Sequence, residues 1–144
     1  MINILLADDD IDDCLFFQDA LEDLLIQNNL VTVSDGVQLM SYLEDHITNP
    51  PDVLFLDLNM PCKSGHECLL EIKCNDSLKE IPIVIFSTSQ NADVVSTLYE
   101  NGAHYYIRKP GDFNILKKVI GEALFLLEHN NMKQPDFLDF IILS

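Results

Sequence analysis

The stretch "LLADDDIDDCLFF", residues 5–17, places five aspartates in six positions directly behind an apolar run. A helix start accounts for one or two of them, because a carboxylate caps free backbone N–H groups and favours the positive end of the helix dipole. The others need something to hold them together, most simply a divalent cation. Three further apolar runs end on reactive groups: Asp57, then Ser87 with Thr88, then Lys109 followed by Pro110. If Asp8, Asp9 and Asp57 converge with the Lys109 ammonium and the Ser87 hydroxyl, the chemistry they suit is phosphoryl transfer. Mg²⁺ is a hard cation that takes oxygen ligands, usually one or two carboxylates with water and phosphate oxygens. An aspartate carboxylate is a competent nucleophile for forming an acyl phosphate. A lysine and a hydroxyl then stabilise the equatorial oxygens of the group in transfer.

These residues converge only if the chain between them places each run in one sheet. Five short apolar runs alternate with helical segments: "INILLA" (2–7), "LVTVS" (30–34), "DVLFLDL" (52–58), "IPIVIFS" (81–87) and "HYYIRK" (104–109). Near-continuous apolarity in the first, third and fourth indicates strands buried on both faces, as in a parallel sheet covered by helices. Ile11, Leu15, Phe16, Leu21, Leu24 and Leu25 recur at helical spacing, as do Val37, Leu39, Met40 and Leu43. "SDG" at 34–36 opens the second helix, "NPPD" at 49–52 ends it, and Gly102 follows the fourth. The last helix is expected over 113–128. A βα unit repeated five times predicts a doubly wound α/β sheet, whose ligands bind beyond the carboxyl ends of the strands.

At 144 residues the chain is the size of one domain. A formal charge of −16 argues against direct nucleic-acid binding, which rests on neutralising phosphates with Lys and Arg; a metal or a basic protein surface fits better. No apolar run approaches the ~20 residues of a membrane span, and "MINILLADDD" lacks the features of a signal peptide. A cytoplasmic protein is expected. Cys14, Cys62, Cys68 and Cys74 form no C-x-x-C pair and read as reduced thiols. His46, His66, His104 and His129 are scattered and are assigned to the surface or the core edge.

Taken together, "ILLADDD", "VLFLDLNMPCKSG", "IPIVIFSTS" and "YYIRKP" resemble, in order and spacing, the motifs of two-component response-regulator receiver domains, the CheY-like family. The resemblance runs from residue 3 to about 128. It implies a flavodoxin-like (βα)5 fold of strand order 2-1-3-4-5, a receiver domain over 1–130 and an extension over 131–144. It makes Asp57 the phosphoacceptor, loaded by the phosphohistidine of a histidine kinase or phosphotransfer protein, or by a small-molecule donor. Asp8, Asp9, Asp57 and the backbone carbonyl of Asn59 would hold Mg²⁺. Lys109 would contact the phosphoryl group, with the Ser87 hydroxyl and the Thr88 N–H beside it. Tyr106 matches an aromatic whose rotamer follows phosphorylation in many members, and a fixed packing role for it stays equally open. Gly65 matches the turn glycine after the third strand.

Thr88 stands where many members carry Ala, and Asn59 and Ser89 occupy positions that tune phosphoryl lifetime in the family. Asp10, Asp12 and Asp13 read mainly as a helix start. A phosphatase of the haloacid-dehalogenase type also uses an aspartyl nucleophile with Mg²⁺, but it needs an aspartate where this chain has Asn59. A flavin-binding module needs Gly, Ser and Thr donors after the first strand, where this chain has carboxylates. A phosphorylation-independent adaptor stays open. The resemblance extends, more weakly, to stand-alone receivers paired with phytochrome-type sensor kinases. The apolar tail "DFLDFIILS" (136–144) either folds back, as a short helix after Pro135 or otherwise, or serves as a docking or dimerisation element. A homodimer would form through that tail or through the face of the fourth and fifth strands.

Overall fold

The computed structural model describes residues 1–89 and 91–142. Leu143, counted in the apolar tail, lies outside them. Strand β1 (Ile2–Ala7) leads to α1 (Ile11–Asp23), β2 (Asn28–Val33), α2 (Gly36–Asp45), β3 (Val53–Leu56) and α3 (Gly65–Lys73). Then come β4 (Ile83–Ser87), α4 (Ala92–Glu100), β5 (Tyr105–Arg108) and α5 (Phe113–His129). A 3-10 turn (Phe137–Asp139) and a two-residue strand β6 (Ile141–Ile142) close the described chain.

The sheet is parallel in every pairing, in the order β2-β1-β3-β4-β5-β6. Its first five strands take the order expected of a doubly wound fold. The sixth is an addition to the five expected: the tail returns to lie parallel beside β5 and covers an edge that would otherwise present unpaired N–H and C=O groups.

Strand alternation divides the core in two. Leu5, Leu54, Leu56, Ile83, Ile85 and Tyr106 face one side, under α2, α3 and α4. Ile4, Leu6, Phe55, Val84, Tyr105 and Ile107 face the other, under α1 and α5. Tyr105 and Tyr106 therefore point to opposite faces, as their adjacency in a strand predicts.

Several expectations need correction. In α1 the buried face is Phe17, Ala20 and Leu21; Ile11, Leu15 and Leu25 are exposed. Leu25 leaves the helix altogether, with φ +57° just past the cap residue Leu24. Val37 is also exposed, leaving Leu39 and Leu43 to seat α2. Strand β4 starts at Ile83 because Pro82 has no N–H for the ladder, although its carbonyl accepts from Leu54 N–H at 2.9 Å. Strand β2 begins two residues earlier than expected, at the polar pair Asn28 and Asn29, which the register with Ile2 and Asn3 recruits at an exposed edge. His104, expected at the surface or core edge, is buried.

Each α-helix starts on a short polar cap in the loop above the carboxyl edge of the sheet. Asp10, Asp35, Ser64, Asn91 and Asp112 accept from N–H groups of the first turns of α1 to α5 respectively. Past α4, Gly102 takes φ +99°, the left-handed position that a helix C-terminus favours for glycine.

Candidate functional site

The carboxyl ends of β1, β3, β4 and β5 deliver the chemistry-bearing residues. Asp8 follows β1 and is held by its N–H to Val33 O at 3.0 Å; Asp57 follows β3 through its N–H to Ala7 O at 2.9 Å. Lys109 follows β5 through its N–H to Ser87 O at 2.9 Å. Gly65 lets this edge close. A Cβ at that position would stand 2.1 Å from the Asp57 carbonyl oxygen, so only glycine lets α3 begin so near the phosphoacceptor candidate.

Asp8, Asp9 and Asp57 each offer a carboxylate oxygen, and these atoms lie within 4.8 Å of one another. Asp8 and Asp57 are almost wholly buried, while Asp9 opens to solvent. Two buried carboxylates beside a third repel one another and lose hydration, a cost offset only by cations. Lys109 supplies one. Its Nζ lies 2.8 Å from Asp8 Oδ2, 2.9 Å from Asp13 Oδ2 and 3.5 Å from Asp57 Oδ2, and 5.6 Å from the Phe86 ring centroid. The Asp8 contact is an ion pair without hydrogen-bond alignment, which leaves that buried oxygen without a hydrogen-bond donor among the described residues. One ammonium against three buried or half-buried carboxylates leaves the cluster short of positive charge. An oxygen-rich set of this kind suits a divalent cation such as Mg²⁺ or Mn²⁺.

The electrostatics agree. Burial pushes the Asp57 carboxyl up to about 6, with the Asp8 charge adding to it and Lys109 opposing. Burial likewise raises Asp8 above the usual carboxylate range against the pull of Lys109. For Lys109, burial favours the neutral amine, but the close contacts to the Asp8 and Asp13 carboxylates and the Asp57 charge outweigh it and hold the ammonium above its ordinary value.

The remaining expected residues ring this cluster. Ser87 is buried at the end of β4, and its Oγ accepts from Ser89 N–H at 3.3 Å. Thr88 is exposed beside it. Asn59 donates its N–H to Asp57 Oδ1 at 3.4 Å. Tyr106 is buried, and its hydroxyl donates to the Ser89 carbonyl.

Within the aspartate run, the structure separates the roles by residue. Asp10 is the α1 cap, accepting from Asp12 N–H at 2.9 Å and Asp13 N–H at 3.2 Å. Asp12 sits exposed in the first turn. Asp13 lies in the first turn of α1 as expected, and in addition it joins the cluster through Lys109. The cap at Asp10 sets the phase of α1, and the third residue after a cap turns back toward the loop from which the helix springs. Spacing from Asp10, rather than acidity, was the signal.

A doubly wound parallel sheet carrying three carboxylates and a lysine at its carboxyl edge defines a class, and the comparison of sequences gives it a family. Residues 4–121 match the family model described as "Response regulator receiver domain", and the chain belongs to that family. Response regulator Rcp1 of Synechocystis sp. (strain ATCC 27184 / PCC 6803 / Kazusa) is 37% identical over 130 residues, covering 87% of this chain and 88% of its own. The crystal structure of the Mn²⁺-bound form of response regulator Rcp1 superposes with a TM-score of 0.79 at 35% identity, covering 89% of this chain and 96% of that one. The phosphorylated cyanobacterial phytochrome response regulator RcpA gives 0.79 at 34% identity, covering 94% and 99%. Among the described residues no helix is long and apolar enough to cross a membrane.

Proposed function

We propose that the chain is a phosphorylation-dependent signalling switch in which Asp57 accepts a phosphoryl group. An Asp57 carboxylate oxygen attacks the phosphorus of a phosphohistidine. The O–P bond forms as the P–N bond breaks, its electron pair goes to the imidazole nitrogen, and Asp57 becomes an acyl phosphate. Lys109, already at the cluster's centre, follows the phosphoryl oxygens. The Ser87 hydroxyl and the Thr88 N–H donate to the same group. Asp8, Asp9, Asp57 and the Asn59 carbonyl would hold Mg²⁺, which when bound neutralises the carboxylates and polarises the phosphoryl oxygens. The observation that carries this reading is the meeting of Asp8, Asp9 and Asp57 oxygens within 4.8 Å around a shared lysine.

The phosphoryl donor is a sensor histidine kinase or a phosphotransfer protein in the cytoplasm. The similarity to the phosphorylated cyanobacterial phytochrome response regulator RcpA supports a role beside a phytochrome-type sensor. On this reading residues 1–130 form the receiver, residues 131–144 an extension, and output runs through protein contacts. The chain turns over no separate substrate.

The test is intact-protein mass after incubation with phosphoramidate, with and without Mg²⁺, on wild type and Asp57→Asn. An alkali-labile gain of one phosphoryl group that needs Mg²⁺ and is absent from the variant is expected. No gain, either from phosphoramidate or from a phosphorylated histidine phosphotransfer domain, leaves the adaptor reading.

A further inference from the structure

The edge of the sheet opposite the acidic cluster is hollow. Ile2 and Val53, the first residues of β1 and β3, meet Leu124 and Leu127 of α5 around a cavity of about 590 Å³. That is the size of sites that take small organic ligands. Ile26 and Met132 add to its walls, and Phe125, 63% exposed, carries the apolar lining out to solvent.

Two of these walls are placed by backbone that residues other than glycine seldom adopt. Leu25 takes φ +57° immediately before Ile26, and Met132 itself takes φ +61°. The Met132 N–H donates to Leu127 O at 2.8 Å, and its carbonyl accepts from His104 Nε2 at 3.1 Å. The turn that carries Met132 is thus fixed at both ends, and the cavity is built into the fold.

Gly121 is an independent sign of an occupant. It sits in the middle of α5, where glycine weakens a helix relative to alanine, and it does not take the positive φ that would favour glycine. A Cβ there would meet nothing nearer than Leu24 Cδ2 at 3.5 Å, an ordinary contact. Neither backbone geometry nor packing calls for glycine at this position. What the missing side chain leaves is room on the cavity wall.

The polar part of the lining gives the chemistry of the occupant. Asp52 and Glu128, both exposed, set two negative charges at the rim against the single α-amino group of Met1. Asp52 is held in place: its Oδ2 accepts from Asn3 N–H at 2.7 Å, and its own N–H donates to Asn3 O at 2.8 Å. Carboxylates at the mouth of an apolar cavity repel fatty acids and phosphate amphiphiles and attract a cation carried on an apolar body.

We propose that this cavity is a binding site for a small cationic amphiphile, an apolar amine whose hydrocarbon body fills the space over Val53 and Leu127 while its ammonium stays at the rim with Asp52 and Glu128. The site lies at the amino edge of the sheet, away from Asp57, and it goes beyond the phosphoacceptor reading without depending on it.

The test titrates the full chain with octylamine, octanol and octanoate below their micelle concentrations, with butylamine as the short-bodied control. Binding is followed by the methyl resonances of Ile2, Leu124 and Met132, and by that of Ile11, which lies beside Asp8 and Asp9. Octylamine is expected to shift the three cavity methyls and leave Ile11 unmoved. It should bind at least tenfold more tightly than butylamine, from the apolar body, and about threefold more tightly than octanol, from the screened carboxylates. Octanoate should bind most weakly. Gly121→Ala is expected to melt higher than wild type yet bind octylamine several-fold more weakly, a combination that misfolding does not produce. Glu128→Gln should reduce the preference for octylamine over octanol. Octanoate binding as tightly as octylamine overturns the proposal, as do shifts centred on Ile11, wild-type affinity in Gly121→Ala, or no shift with any probe.

Discussion

Lys109 Nζ stands 2.9 Å from Asp13 Oδ2 and 3.5 Å from Asp57 Oδ2, so the lysine is held closer to a helix carboxylate than to the proposed phosphoacceptor. Asp13 thereby draws positive charge away from the place a divalent cation would occupy. Asp13→Asn removes one anion and releases Lys109 onto Asp8 and Asp57, and both effects oppose metal binding. Lys109→Met removes the competing cation. Titration calorimetry with Mg²⁺ is expected to show weaker binding in the first variant and tighter binding in the second. Because Asp13 is partly exposed and screened, the Asp13 effect is on the order of 1 kcal/mol, a several-fold change in Kd. Unaltered affinity in Asp13→Asn would remove Asp13 from the site.

Gly65 and Gly111 make a matched pair. An added Cβ at Gly65 meets the carbonyl oxygen of Asp57 at 2.1 Å and the Leu58 Cα at 2.9 Å, and these are backbone atoms that cannot rotate away. At Gly111 it meets nothing within 4 Å. Gly65→Ala is expected to cost about 3 kcal/mol in urea unfolding and to slow phosphorylation by displacing Asp57. Gly111→Ala should lie within about 0.5 kcal/mol of wild type. Comparable losses in the two variants would mean that the close approach of α3 to Asp57 has no energetic weight.

The aspartate run divides by a similar comparison. Asp10 caps two N–H groups of α1, whereas Asp12 is exposed in the first turn. Asp10→Ala is expected to lower stability by about 1 kcal/mol, and Asp12→Ala by no more than a few tenths. Thermal unfolding of the two variants reads the difference directly, and equal shifts would deny Asp10 its capping role.

What was legible in the sequence follows where the physics is local. Strand β1 matches its apolar run residue for residue, and the caps at Asp10 and Asp35 follow from short polar side chains before helical periodicity. Asp8, Asp9, Asp57 and Lys109 were legible because a doubly wound sheet sends the ends of its strands to one edge. Tertiary competition decided the rest. Ile11 and Leu15 have helical spacing yet face water, because Phe17, Ala20 and Leu21 occupy the space against the sheet. The apolar tail suits a helix or a strand by pattern alone, and the open edge of β5 together with a site for Phe140 between Tyr99 and Tyr106 selects the strand. Asp13 reads as an ordinary first-turn acid until Lys109, 96 residues away, is brought beside it.

His104 sets a pH dependence of stability. Its Nδ1 accepts from Ile83 N–H at 3.2 Å, which places the proton on Nε2, donating to Met132 O at 3.1 Å. Burial, helped by the nearby Lys73 charge, lowers the imidazole from 6.5 to about 4. The unfolded chain takes up a proton below about pH 6.5 that the folded chain refuses until about pH 4. The contribution of His104 is therefore complete above the unfolded value and falls by about 3 kcal/mol as pH drops from 6.5 to 4. Asp57, raised to about 6, acts with the opposite sign over much of that window, since the folded carboxyl binds a proton before the unfolded one does. Wild type thus shows a muted slope. Asp57→Asn removes the opposing group and is expected to lose stability steeply between pH 6.5 and 4 in urea titrations, whereas the double variant with His104→Gln is expected to be flatter by about 3 kcal/mol over that interval. Parallel curves for the single and double variants would show that the buried imidazole does not govern acid stability.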